Sequence, residues 1–218
     1  MPPPVAKQTW ASAVPYLPRR LSLTSLRRAA ADCQGCPLYA RATQTVFGQG
    51  NRAARILLVG EQPGNEEDLQ GVPFVGPAGR ILRQGLDAAG IDPVDTYTTN
   101  VVKHFKWIAA HRRRMHKKPN AREIAACLPW LDKEIAVVQP QILVCLGATA
   151  AQALLGPDFR VTRERGKLVP SRLAPHALAT VHPSSILRQQ TSEDRHREMD
   201  LFIEDLRVAA HLLSRRAD

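Results

Sequence analysis

Three side chains capable of acid–base or hydrogen-bond chemistry stand at the ends of short apolar runs. Glu61 follows Ile56–Val59, Asn100 lies near the end of Thr96–Val102, and His182 follows Ala177–Val181. A short β-branched run closed by a turn reads as a buried parallel strand. In an open α/β sheet, ligands bind outside the carboxyl ends of such strands. A carboxylate, an amide and an imidazole are therefore expected on one sheet edge. The turn Gly60-Glu61-Gln62-Pro63-Gly64 carries glycines that allow a small ligand close to the backbone. Phe74, within Gly71–Pro77, offers an aromatic face to the same edge. Each residue also has a plainer reading: solvated turn carboxylate, turn asparagine, loop histidine, core phenylalanine. Four of them at the expected places favour a shared pocket.

Beside this set lies a basic block. Between Lys103 and Lys118 the chain has Lys103, Lys106, Arg112, Arg113, Arg114, Lys117 and Lys118, three histidines and no acid. Thirty Lys and Arg against twenty Asp and Glu give a formal charge of +10. Such a block on such a chain reads as a phosphate-facing loop rather than an ordinary solvated face. An amide, an aromatic ring, a carboxylate and a histidine next to cations suit a flipped nucleobase. The amide can pair with a pyrimidine edge, and the ring can stack on it.

The elements that must position these residues alternate between strand and helix. Residues 1–20 are proline-rich and read as an irregular arm, and 21–218 read as a single domain. Helices are expected over Ser22–Ala31, Pro77–Ala89, Asn120–Val138, Ala148–Leu155 and from about Asp194 to Ser214. In Asn120–Val138, Ile124, Cys127, Leu128, Leu131 and Ile135 fall on one face. Strands are expected at Ile56–Val59, Thr96–Val102, Gln141–Leu146 and Ala177–Val181. That alternation gives a three-layer α/β fold around a parallel sheet.

The cysteines are Cys33, Cys36, Cys127 and Cys145. Cys33-Gln34-Gly35-Cys36 opens into Pro37, which suits a tight metal-binding turn, and Cys127 and Cys145 follow downstream. Four thiols without a secretory context argue for metal or cluster ligation over disulfides. Zinc and [4Fe–4S] both accept four cysteines, and Cys127 and Cys145 also suit buried core thiols. No apolar run reaches the roughly 18 residues of a membrane span. Met1–Val5 lacks a signal-peptide pattern. A cytoplasmic, monomeric protein without membrane partners is the expectation.

Taken together, these motifs resemble the uracil-DNA glycosylases, and within them the iron–sulfur branch of UdgX type. Gly60-Glu61-Gln62-Pro63-Gly64 is similar to the first glycosylase motif in its UdgX form, where Gln62 replaces a small residue. Pro73–Arg80 resembles the uracil-stacking segment and Thr99-Asn100-Val101-Val102-Lys103 the strand carrying the uracil-reading asparagine. His182-Pro183-Ser184-Ser185-Ile186-Leu187-Arg188 resembles the second motif. Arg112-Arg113-Arg114-Met115-His116 is similar to the UdgX basic loop, usually written Lys-Arg-Arg-Ile-His, with Arg112 and Met115 as the departures.

The resemblance implies an α/β/α sandwich with a four-stranded parallel sheet. It also implies a [4Fe–4S] cluster on the four cysteines and action on uracil-containing DNA, single-stranded favoured. Phe74 and Asn100 would bind uracil with Gly60, Gln62, Pro63 and Gly64. His182 would stabilise the departing base and Glu61 the sugar cation. His116 would become joined to the deoxyribose. The seven basic residues above, with Ser184 and Arg188, would hold DNA. Two rivals remain at this stage. One is a turnover glycosylase using water, and the other is a non-catalytic iron–sulfur protein that binds nucleic acid.

Overall fold

A computed structural model describes residues 12–111 and 113–214 of the chain. Four parallel strands form the centre: β2 (Ile56–Gly60), β3 (Thr96–Asn100), β6 (Ile142–Leu146) and β7 (His176–Thr180). A two-residue strand, β1 (Gln49–Gly50), pairs antiparallel with β3 and extends the sheet to the order β1-β3-β2-β6-β7. The expected four-stranded parallel sheet is thus present, with one short antiparallel addition. Register places Gly60 beside Asn100, and Leu146 beside Thr180. The carboxyl ends of all four parallel strands therefore share one edge.

The two faces of the sheet follow from side-chain alternation along each strand. Leu57, Val59, Tyr97, Leu143, Cys145, Ala177 and Ala179 face one core. That core is covered by α1 (Leu23–Ala30), α4 (Ala121–Val138) and α5 (Ala148–Leu155). Ile56, Leu58, Ile142, Val144 and Leu178 face the other core, under α3 (Pro77–Ala88) and α8 (Ser192–Ser214). Burial on both sides explains why the central strands β2 and β6 run continuously apolar, whereas β3 carries threonines and Asn100. The result is the three-layer sandwich expected from the sequence.

Several elements escape the hydrophobic period because they are short or polar: α2 (Asn65–Gln70), α6 (Val161–Glu164), α7 (Pro183–Leu187), and a hairpin of β4 (Trp107–Ala110) and β5 (Arg113–His116). The inward face of α4 also differs from expectation. It buries Ala126, Cys127, Trp130, Leu131, Glu134, Ile135 and Val138, while Ile124 and Leu128 are only half-buried. Glu134 turns inward because Tyr97, Thr99 and Lys103 meet its carboxylate there. Of the N-terminal arm, residues 1–11 lie outside the described residues. Ala13 ties the rest to the body, its N–H donating to the Ala126 carbonyl at 2.8 Å.

Candidate active site

A cavity of about 730 Å³ opens at the carboxyl edge of the sheet, lined among others by Glu61, Phe74, Asn100, His116, Thr149 and His182. That volume falls within the usual range for small-ligand sites. The sequence-derived set therefore meets in one place. Gly60 forms its floor: a Cβ there would lie 2.4 Å from Asn100 Oδ1 and 2.7 Å from Phe74 Cζ. Only a residue without a side chain lets the amide and the ring approach this closely. Asn100 is 2 % exposed, and its Oδ1 has no hydrogen-bond partner among the described residues. A buried orphan acceptor is costly unless something completes it. Here it borders the cavity and marks where a ligand donor belongs.

Phe74 takes a left-handed backbone, with φ 55°. For a non-glycine residue this stores about 1–3 kcal/mol, tolerated where neighbours over-determine it. One such neighbour is Gly79 on α3, where any Cβ would lie 1.7 Å from the Phe74 carbonyl oxygen. The Phe74 ring lies 6.1 Å from the His182 ring, at an interplanar angle of 30°.

His182 closes the opposite wall as the N-cap of α7. The Ser184 N–H donates to its Nδ1 at 3.2 Å, and Ser184 Oγ lies 2.7 Å from the same atom. A nitrogen that accepts a backbone N–H carries no proton, so the neutral ring holds its proton on Nε2. Burial is the main cause of a pKa lowered to about 4; the neighbouring Glu61 charge opposes it, while Arg188 and His116 assist. His182 is therefore a neutral donor at physiological pH. Ser184, expected at DNA, is instead occupied in fixing this tautomer. Arg188 Nη1 donates to Ser184 Oγ at 2.8 Å and stays exposed at the cavity rim.

Glu61 stands between the two histidines. Its Oε1 lies 3.2 Å from His116 Nε2, and its Oε2 accepts a short hydrogen bond from the Thr149 hydroxyl at the start of α5. Burial raises its carboxyl, but hydrogen bonds from His116 and Thr149, with smaller electrostatic contributions from the two imidazoles, overcome this and hold it below the usual value. Thr149, which sequence reasoning missed, left only the signal of a hydroxyl two residues past a strand-ending glycine.

The basic loop is the β4–β5 hairpin, and its residues divide. Gln62 pins it: Oε1 accepts from Lys106 N at 3.0 Å, and Nε2 donates to the Lys117 and Lys106 carbonyls at 3.1 and 3.3 Å. Gln62 also lines the cavity, so it stands between the hairpin backbone that its amide bonds and the space for a ligand. Arg114 reaches inward to Asp68 at 2.6 Å and to Asn65 at 2.8 Å. Lys106 pairs with Glu123 at 2.7 Å.

Lys103 is corrected more sharply. It is 1 % exposed and inside the protein, where its ammonium ion-pairs with Glu134 and donates to Thr99 Oγ1 at 2.6 Å and the Asn100 carbonyl at 2.7 Å. It has no phosphate to face. Its neighbours in sequence suggested a continuous cationic surface, but a short turn after β3 carries it under the sheet edge. Arg113, Lys117 and Lys118 are exposed. Arg112 lies outside the described residues.

Pro63 is buried in the turn, and Gly64 is the N-cap of α2.

The cysteines are all buried. Burial raises the Cys36 thiol, and the charge of Cys33 adds to this. Burial also pushes Cys127 up to about 12; Lys103 opposes it, while Cys36 and Cys33 contribute to the rise. These three thiols form a group. Lys103 N donates to Cys127 Sγ at 3.2 Å, and Trp130 Nε1 to Cys33 Sγ at 3.3 Å, as amides and indoles do to electron-rich sulfur. Cys145 stands apart. Burial alone raises it to about 12, and no other thiol acts on it, because β6 holds it in the sheet between Val59 and Ala179. Of the expected set of four, Cys33, Cys36 and Cys127 act on one another electrostatically, and Cys145 lies in the sheet. Among the described residues, no group of three or more His, Cys, Asp or Glu is arranged around a single metal ion.

The fold is thus an α/β protein with a mostly parallel sheet under helices, with a carboxylate, an amide, an aromatic ring and an imidazole at the sheet's carboxyl edge. The family model of the uracil DNA glycosylase superfamily matches residues 47–207. The chain is 36 % identical over 184 residues to a Type-4 uracil-DNA glycosylase of Thermotoga maritima, covering 84 % of this chain and 90 % of that protein. Identity is 33 % over 176 residues to the Type-4 enzyme of Pyrobaculum aerophilum, with 78 % and 86 % covered. It is 34 % over 181 residues to that of Archaeoglobus fulgidus, with 79 % and 87 % covered. The chain belongs to the uracil DNA glycosylase superfamily. No helix among the described residues is long and apolar enough to cross a membrane.

Proposed function

We propose that the protein excises uracil from DNA, single strands favoured, and that His116 then captures the deoxyribose. A flipped uracil fills the cavity, with Phe74 on its face and Asn100 on its edge. The C1′–N1 bond breaks with its electron pair leaving on uracil, and the proton on His182 Nε2 stabilises that anion at a ring carbonyl. Positive charge develops on the sugar, as in other glycosyl transfers. The ionised Glu61 stabilises it.

His116 Nε2 then bonds to C1′ while its proton passes to Glu61 Oε1. The observation that carries this reading is the 3.2 Å approach of His116 Nε2 to the Glu61 carboxylate at the cavity wall. Gln62 supports it by holding the strand that carries His116. Exposed Arg113, Lys117, Lys118 and Arg188 would meet the phosphates.

Cys33, Cys36 and Cys127 would hold an iron–sulfur cluster, and their chemistry fits it: three buried thiols receiving an N–H at two of the sulfurs. When bound, the cluster supplies a cross-link between the N-terminal turn and α4.

The test is a labelled single strand containing uracil, incubated with protein and denatured in detergent. A shifted band is the expected result. Alkali-cleavable strand without a shift assigns the attack to water, and intact strand leaves binding alone.

A further inference from the structure

We propose that Glu67 is a positioning residue that sets the Phe74 ring over the base pocket by capping two helices with one carboxylate. Its Oε2 accepts the Gly64 N–H at 3.0 Å and its Oε1 the Gly76 N–H at 2.8 Å. Gly64 is the N-cap of α2 and Gly76 the N-cap of α3. A negative charge belongs at such ends, where N–H groups lack partners within the helix.

Gly64 closes the turn that carries Glu61, and Gly76 follows Phe74 by two residues. One side chain therefore ties the turn bearing the sugar-facing carboxylate to the loop bearing the stacking ring. That loop is the strained one. Its Phe74 sits at φ 55°, packed against Gly79 on one side and anchored through Gly76 on the other. Glu67 is 8 % exposed where it borders the cavity, and both its oxygens already accept an N–H, so its hold on Phe74 runs through the backbone.

This inference rests on the uracil-excision reading, and the assay is release of free uracil, which follows attack by either His116 or water. In Glu67→Gln the amide keeps the shape but turns one NH2 toward an N–H, so one of the two ties becomes repulsive. The half-saturating concentration of uracil-containing single strand should rise about tenfold, a partial loss of base–aromatic stacking. The pH profile should not move.

In a Phe74→Leu background the same substitution should add almost nothing, since residues acting through one contact are not additive. If Glu67→Gln does not fold, Glu67→Asp carries the same measurements, because the shorter acid reaches only one N–H. Penalties that simply add in the double variant, or an unchanged half-saturation, would overturn the proposal. A wild-type protein that releases no uracil would instead overturn the reading beneath it.

Discussion

Glu61 and His182 lie in one cavity, and their protonation states set the working pH range. Glu61 is held below the usual carboxylate value, and His182 is depressed to about 4 by burial. Both are in the required form at neutral pH: one ionised, one neutral with a proton on Nε2. Uracil release should therefore stay flat from neutrality down to about pH 5. It should fall only near pH 4, where His182 takes a proton. An acid limb near 6.5 in the pH–rate profile would show that His182 is not buried as described.

Stability follows the same imidazole. Unfolded, it binds a proton near 6.5; folded, near 4. The unfolded state thus gains protons first as pH falls, and stability drops across that window by up to about 1.4 kcal/mol per pH unit. Glu61, Asn100 and His182 were legible because they stand at or near strand ends, and Phe74 because it is the aromatic of the Gly71–Pro77 loop. The tautomer was not, since it depends on Ser184 two residues into the next turn.

At the scale of elements, the hairpin decides what the basic block does. Sequence showed seven cations in a row without acids and nothing of which way they point. The fold turns Lys103 and Arg114 inward to Glu134 and Asp68, and leaves Arg113, Lys117 and Lys118 outside. The partners were invisible because Asp68 lies on α2, a helix too short for a periodic signal. Glu134 in turn falls among the apolar residues of α4, and nothing in its own sequence neighbourhood names the lysine it meets.

These two groups should separate in experiment. Lys117→Ala with Lys118→Ala should leave thermal stability alone and flatten the salt dependence of single-strand binding, by about 0.7 log units per lost phosphate contact. Lys103→Met should do the reverse, costing on the order of 3–5 kcal/mol by stranding a buried carboxylate. An equal loss of salt slope in both would contradict the division.

Across the whole molecule, the parallel sheet and the layers were readable because strands such as β2 and β6 are apolar throughout and long helices alternate with them, whereas the strand order was not. Where the cysteines go was not either. The resemblance made Cys145 a fourth ligand and spacing left it open as a core thiol, and in the fold it is a buried residue of the central strand β6. Lys103 links the two ends of the structure: its backbone donates to Cys127 Sγ, and its ammonium to the Asn100 carbonyl. Purified protein should be brown. Cys127→Ala should lose the colour and much of its stability, while Cys145→Ala should keep the colour and cost only what a small core cavity costs. Iron content lost equally in both variants would return Cys145 to the ligand set.

The most direct test of the account is the atom that ends up on the sugar. Adduct formed on a uracil-containing single strand, digested and sequenced by tandem mass spectrometry, should carry the deoxyribose on the peptide containing His116, on its imidazole. His116→Ala should yield no such peptide while still releasing uracil. A deoxyribose found on Lys117, Lys118 or His111, or an adduct undiminished in His116→Ala, would contradict it.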